Sequence, residues 1–398
     1  MWQNIEAAPA DSILGLTDAF RNDPNPQKVN LGVGVYKDEA GKTPILACVK
    51  AAEKILLAGE SSKSYLPISG DPLYAAEVQK LLFGDSSEVI TSGRAATAHA
   101  PGGTGALRVG GDLLKKFYPG AKVWISKPTW ANHKGVFTTA GFPLAEYAYY
   151  NASTRALDFP AMVADLVNIP AGDIVLLHAC CHNPSGVDLT ADQWQKVAAI
   201  GAEKNWIPFL DFAYQGFGEG LEADRAGIEA FAATGVDFFI ASSYSKNFGL
   251  YNERTGGLTI VSPTAADAAV AMSHLKTTIR VIYSNPPAHG GLVVATILSN
   301  PQLREQWLQE LAAMRNRIKA MRVALVEGLA ARGVKGDFSS ITSQRGMFSF
   351  SGLSDAVVQW LRANKSIYVV AGGRINLAGL TQANIGYVCD AIAEATER

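Results

Sequence analysis

Cysteine is scarce: there are four in 398 residues, with Cys180 and Cys181 adjacent and Cys48 and Cys389 far off. Such spacing makes no disulfide framework and points to a reducing compartment, the cytoplasm. Net charge is nearly absent too, with 35 basic and 36 acidic residues giving -1. A chain so balanced carries no electrostatic footprint for nucleic acid or an anionic membrane. Long apolar runs are missing, and the start, Met1-Trp2-Gln3-Asn4-Ile5-Glu6, lacks a basic stretch followed by an apolar one. Neither a membrane span nor an export signal is expected. No Walker motif, internal repeat or low-complexity segment occurs. What is left, 48% hydrophobic and 18% charged residues, is the composition of a globular enzyme with two domains and a large core. Its partners should be small molecules or copies of itself.

Along the chain, Asp11 or Ser12 is a candidate N-cap for a short helix through Phe20, ended around Pro24 and Pro26. The run from Asn30 to Tyr36 is strand-like, with Gly32 and Gly34 allowing close approach to a ligand. Helical periodicity spans Thr43 to Leu57. Pro101-Gly102-Gly103-Thr104-Gly105 is a glycine-rich turn before an amphipathic helix through Phe117, whose first amides can bind phosphate. Position 108 is Arg where a dinucleotide fingerprint needs glycine, which counts against a nucleotide-binding oxidoreductase. Strands at Lys122 to Ser126, Ile174 to Ala179, Ile207 to Asp211 and Asp237 to Ala241 then alternate with helices, the pattern of a largely parallel α/β sheet. A further strand is expected at Gly257 to Ser262, a helix ending near Arg280, and one helix from Pro301 to about Leu329. Strand candidates Met347 to Phe350 and Ile367 to Val370 and a last helix, Asn384 to Thr396, suit a smaller α+β domain.

The chemistry collects where those parallel strands end, since ligands of open α/β sheets bind beyond the carboxyl ends of the strands. Lys246 follows the strand ending at Ala241, amid hydroxyls and ahead of Arg254, a setting that suits Schiff-base formation with a phosphorylated aldehyde such as pyridoxal phosphate. Asp211, at the end of an apolar run, needs a cation to be buried, and a protonated pyridine nitrogen is one. Tyr214 and Asn183 could bond a ring oxygen, Trp130 could cover the ring, and Ser243 with Arg254 could hold the phosphate. His178, Cys180 and His182 would share one strand face by alternation, but no fourth ligand is evident, and no metal is expected.

Seven motifs in one order carry a resemblance. They are N-L-G-V-G-V-Y-K-D, P-G-G-T-G-A-L, H-N-P-S-G-V, D-F-A-Y-Q-G-F, S-Y-S-K-N-F-G-L-Y-N-E-R, Y-S-N-P-P-A-H-G and G-R-I-N-L-A-G-L. From Ala8 to the last helix the chain resembles the class I, fold type I aminotransferases, nearest the bacterial aspartate enzymes and their aromatic relatives. The resemblance implies a large domain over 44–312 with a mostly parallel seven-stranded sheet. It also implies an N-terminal arm and part of a small domain over 1–43, and the rest of the small domain over 313–398. It makes Lys246 the Schiff-base lysine and proton shuttle, puts Asp211 on the pyridine nitrogen, Asn183 and Tyr214 on the ring oxygen, and Trp130 on the ring, with His133 behind Asp211. Gly103, Thr104, Ser243 and Arg254 would hold the phosphate, with Tyr65 reaching it from the other subunit of a homodimer. Arg374 would clamp the substrate α-carboxylate, Arg280 of the neighbouring subunit its side-chain carboxylate, and Gly34 would border the substrate on a closing small domain.

Ser64, Gly102, Ser185 and Ile282 depart from common family choices without removing a catalytic group. Val35, Lys37, Thr43, Thr104 and Asn285 resemble the aspartate branch, so transfer from aspartate to 2-oxoglutarate is the leading expectation and aromatic substrates the alternative. Another pyridoxal phosphate chemistry, elimination or decarboxylation, is disfavoured by the paired arginines.

Overall fold

The computed structural model describes residues 2–6 and 14–397, so the candidate N-cap at Asp11 or Ser12 lies outside the described residues. The chain forms two compact units. One is Pro44–Asn316; the other joins the described parts of Met1–Thr43 and Arg317–Arg398.

Pro44–Asn316 is built on a seven-stranded sheet: β1 (Ala95–Pro101), β2 (Val123–Lys127), β3 (Leu144–Ala148), β4 (Ile174–His178), β5 (Ile207–Phe212), β6 (Phe238–Ser243) and β7 (Thr255–Val261). Their order across the sheet is β1-β7-β6-β5-β4-β2-β3. All neighbours are parallel except β7, which runs antiparallel to both β1 and β6. Every residue of β4, β5, β6 and β7 is buried. Continuous apolar runs such as Ile174-Val175-Leu176-Leu177 are what a sheet covered on both faces demands.

Strands β1 and β3 were not expected. Ala-Ala-Thr-Ala-His-Ala-Pro and Leu-Ala-Glu-Tyr-Ala are poor in β-branched residues, and pairing with β7 and β2 imposes their extended form. The glycine-rich turn is also shorter than expected, because the helix begins at Gly102 and runs to Phe117. That helix lies close on the sheet: a Cβ at Gly110 would stand 2.5 Å from Phe209 Cζ. The helix Ala47–Gly59 has no side-chain cap of its own, and Glu310 serves instead, accepting from the Ala47 and Cys48 amides at 2.7 and 3.1 Å.

In the other unit, the strand expected over Asn30 to Tyr36 is only Val29–Asn30, paired in parallel with Ile367–Tyr368. Beyond it the Asn30 side chain accepts from the Gly32 and Val33 amides, turning the chain out of the ladder. Phe348–Phe350 pairs antiparallel with Arg374–Asn376. The helix Pro301–Ala331 runs unbroken through the boundary between the units in the chain.

Gly110→Ala should lower thermal stability by about 1–3 kcal/mol, the usual cost of overpacking a filled core. Gly120→Ala, where an added Cβ meets nothing within 4 Å, should leave the melting temperature nearly unmoved. Equal shifts for the two in thermal melts would refute the account of helix-on-sheet packing.

Candidate active site

The ends of β5 and β6 place the two charges. Asp211 is the fifth residue of β5, lies opposite His178 on β4 and Ala241 on β6, and is 6% exposed. A carboxylate at that depth needs partners. His133 Nε2–H donates to Asp211 Oδ2 at 2.8 Å, which leaves Nδ1 to accept from the Thr129 hydroxyl at 2.8 Å. Burial would raise the Asp211 carboxyl, but the hydrogen bond and field of His133, with His178 and Lys246 beyond, hold it below the ordinary carboxylate range. It is therefore an anion at neutral pH.

Lys246 lies three residues beyond β6, half-buried, with Nζ 4.7 Å from the centre of the Tyr214 ring. Burial pushes its ammonium down to about 8, Asp211 opposes that fall and Arg254 adds to it. Far more of the amine is thus free near neutral pH than in an ordinary lysine, although the ammonium still predominates there, and a nucleophilic lysine draws on that free fraction. The backbone just after it is pinned. Trp307 Nε1–H donates to the Asn247 carbonyl at 2.8 Å, and the Trp307 ring stacks on Phe248 at 4.4 Å.

On the other side of β6 is an anion cradle. Gly102 has φ +75, and a Cβ there would fall 2.4 Å from Arg254 Nη2, while a Cβ at Gly103 would be 3.0 Å from that of Ser243. The Arg254 guanidinium and Ser243 therefore sit directly against the first residues of the helix Gly102–Phe117, where Gly103 and half-buried Thr104 carry amides without intrahelical acceptors. Glycine at 102, with no side chain, leaves room for the arginine. Ser245 ties the cradle together, receiving hydrogen bonds from Arg254 Nη1 at 3.4 Å and Ser243 Oγ at 3.2 Å.

Trp130 caps the helix Ala131–Thr139, with its ring edge-on to His133 at 5.2 Å. Asn183 is buried in the turn after β4, where Asp188 accepts from the Cys181 and His182 amides. The grouping of His178, Cys180 and His182 does not form. Strand β4 ends at His178, Cys181 takes φ +52, and Cys180 falls in with Cys181 and Asp224 instead. His178 packs between His133, to which its ring is tilted, and His182, to which it is edge-on, and burial pushes its imidazole down to about 3. Sequence reasoning missed Thr129, His178 and Ser245 as supports; the only signal was their nearness in the chain to His133, Asn183 and Lys246.

Tyr65 and Arg280 instead face solvent: Tyr65 is 92% exposed, and the Arg280 guanidinium is held by the Ser284 hydroxyl. In the other unit Arg374 is buried, donates to the Gly32 carbonyl at 2.6 Å and stacks over the Phe348 ring at 4.3 Å. Gly34 belongs to the same group, since a Cβ there would meet Phe348 Cζ at 2.8 Å.

The family model described as aminotransferase class I and II matches residues 26–392. An aspartate aminotransferase of Salmonella typhi is 54% identical over 98% of this chain and 99% of its own. The crystal structure of an aromatic-amino-acid aminotransferase from Burkholderia pseudomallei, covalently bound to pyridoxal phosphate, is similar at TM-score 0.97 and 50% identity, covering 100% of this chain and 99% of that one. A psychrophilic aromatic amino acid aminotransferase of Psychrobacter sp. B6, cocrystallised with aspartic acid, is similar at TM-score 0.98 and 41% identity, covering the whole of both chains.

The state of Lys246 is open to test. Capture of an added aldehyde such as pyridoxal phosphate by ligand-free protein should speed up with pH with a midpoint around 8. Asp211→Asn removes the charge that holds the proton on Lys246, so the midpoint should move to lower pH. A midpoint near 10.4, the ordinary lysine value, followed by absorbance, would contradict the burial argument.

Proposed function

The chain belongs to the class I and II aminotransferases, and from that premise we propose that it transfers the amino group of L-aspartate to 2-oxoglutarate, releasing oxaloacetate and L-glutamate, with pyridoxal phosphate as cofactor. The observation that carries this is the juxtaposition, at adjacent strand ends, of a lysine with lowered proton affinity, a buried anionic Asp211 and the cradle of Gly102 against Arg254. An aromatic aldehyde phosphate fits all three: a carbonyl for the amine, a basic ring nitrogen for the carboxylate, and a dianion for the cradle.

Asp211 would hold the ring nitrogen with His133 behind it, Asn183 and Tyr214 the ring oxygen, and Trp130 the ring face. Gly103, Thr104, Ser243 and Arg254 would hold the phosphate together with Tyr65 of the partner subunit. Bound there, the cofactor supplies an electron sink for the pair left on the substrate Cα when its proton departs. This chain's residues then do the remaining work. Lys246, its ammonium made easier to deprotonate by burial, takes the proton from Cα as the free amine and returns it to the cofactor side. Asp211, kept ionised by His133, keeps the ring nitrogen protonated and so sustains the sink. Arg374 is assigned the α-carboxylate common to every amino acid, and Gly34 a place beside it. A second oxo acid retraces the path, a ping-pong cycle.

Arg280 of the partner subunit is assigned the side-chain carboxylate, which makes the working form a homodimer. In support, Tyr65 is itself an exposed aromatic, Val281 and Ile282 next to Arg280 are exposed apolar residues, and Asn285 Nδ2 bonds the Leu66 carbonyl to tie the two segments together. The four cysteines are buried and none is in a disulfide, which suits the cytoplasm. Aromatic substrates are the second reading. The Arg280 guanidinium is exposed and bonded to a neutral hydroxyl, so it can be displaced to admit a ring.

Purified protein should show a yellow absorption band that is lost on adding aspartate, and Lys246→Ala should abolish both the band's lysine linkage on borohydride reduction and turnover. Protein that takes up no pyridoxal phosphate would overturn the proposal. Arg280→Ala should lower kcat/KM for aspartate by about a hundredfold or more, as loss of one partner of a buried charge pair does, and lower that for phenylalanine far less. Equal losses would reject the role of Arg280.

A further inference from the structure

Arg322 is a fully buried cation, 1% exposed, on the helix Pro301–Ala331. Burying a guanidinium is costly unless its N–H groups are satisfied. Three hydrogen bonds of Arg322 go to one short segment. Its Nη1 donates to the Ile341 carbonyl at 2.9 Å, and its Nη2 to the Gly346 and Phe348 carbonyls, each at 2.7 Å. These oxygens bracket the approach to the strand Phe348–Phe350 and fix where Phe348 leaves the backbone.

Phe348 is in turn wedged. Its ring lies under the Arg374 guanidinium at 4.3 Å, and its Cζ occupies the space a side chain at Gly34 would need, at 2.8 Å. Phe348 also pairs with Asn376 across the two-stranded sheet, and Asn376 Nδ2 donates to the Val33 and Val35 carbonyls on either side of Gly34. The Gly32 carbonyl takes Arg374 Nη2 from the same stretch. Arg374 is therefore oriented by a ring below it and a carbonyl beside it, and the ring's place depends on Arg322.

We infer that Arg322 is a positioning residue for substrate-carboxylate recognition: through the Phe348 backbone and ring it sets the plane in which Arg374 presents its paired N–H groups. The inference rests on the reading of Arg374 as the α-carboxylate partner. A bidentate guanidinium–carboxylate pair needs coplanar groups, so a tilt of the Phe348 ring weakens recognition of the carboxylate and leaves cofactor chemistry alone. A planar fork is also why lysine cannot replace Arg322, since its ammonium is a point charge on a flexible stem.

The test compares holoenzyme variants with two amino donors, aspartate and a simple primary amine without an α-carboxylate. Arg322→Lys and Phe348→Leu should each raise KM for aspartate about tenfold, the scale of one lost cation–π contact, with kcat changed less. Their half-reaction rate with the plain amine and their visible spectrum should stay as in the parent protein. The double variant should be little worse than the worse single one, because both act on one contact. Equal losses with aspartate and the plain amine would mark Arg322 as merely structural and overturn the inference. Should Arg322→Lys fail to fold, Phe348→Leu alone decides, and an unchanged KM overturns it. Arg374→Lys separates the two layers of argument. If it leaves KM for aspartate unchanged, the assignment of Arg374 falls and takes this inference with it; if it raises KM while Arg322→Lys and Phe348→Leu do not, only the inference falls.

Discussion

The site depends on keeping one carboxylate ionised inside a sheet. Asp211 is almost fully enclosed, and an isolated anion there would take up a proton. Its hydrogen bond from His133 prevents this, and the bond exists because Trp130 and Thr129 start a helix whose first turn aims His133 across β4 at the end of β5. The same charge then acts at range on Lys246, opposing the loss of its proton that burial favours. The two effects leave the lysine near neutrality. With burial alone the amine would be free but weakly basic; with the carboxylate alone it would stay protonated. A proton carrier needs the balance between them.

The cradle beyond β6 follows a second constraint, close approach of backbones. Gly256 of β7 lies against Gly102, since a Cβ on it would be 2.5 Å from the Gly102 carbonyl carbon. Sheet and helix start thus meet without side chains between them, and Arg254 and Ser243 occupy the space left over. Glycine at 102 also supplies the positive φ that begins the helix without strain. An anion site built this way rests mainly on amides and one guanidinium, and its shape is held by the sheet.

Much of this was legible in the sequence because burial leaves a compositional trace. The apolar runs before Asp211 and Ser243 mark fully enclosed strands, and the polar residues that interrupt them mark where the strands surface at a ligand. The alanine-rich strands Ala95–Pro101 and Leu144–Ala148 left no such trace, since their conformation comes from their neighbours. The glycines from Asn30 to Tyr36 suggested a strand with close approach. What comes close at Gly34 is the Phe348 ring rather than a ligand, and the strand stops at Asn30, whose side chain bonds the next amides. The supporting roles of His178, named only as one of a strand-face trio, and of Arg322 were missed for another reason. Each is defined by what surrounds it in space: imidazoles for His178, carbonyl oxygens from 19 to 26 residues away for Arg322. No local pattern records such partners.

Arg374 and Arg280 have opposite settings, and the substrate roles proposed for them account for the contrast. Every amino acid and oxo acid in a ping-pong cycle carries the same carboxylate beside the reacting carbon, so its receptor gains from being rigid. Arg374 is buried, bonded to a carbonyl and backed by an aromatic ring, which removes rotamer freedom before the substrate arrives and so lowers the entropy lost on binding. The side chain, by contrast, differs between donors, and a fixed cation facing a neutral ring would be left desolvated without a partner. Arg280 is exposed and hydrogen-bonded to the Ser284 hydroxyl, an exchange of modest free energy that water can replace. A charged side chain can recruit it and an apolar one can displace it. On the proposed roles, a rigid clamp for the constant group and a displaceable one for the variable group would let one enzyme accept unlike substrates in alternate half-reactions.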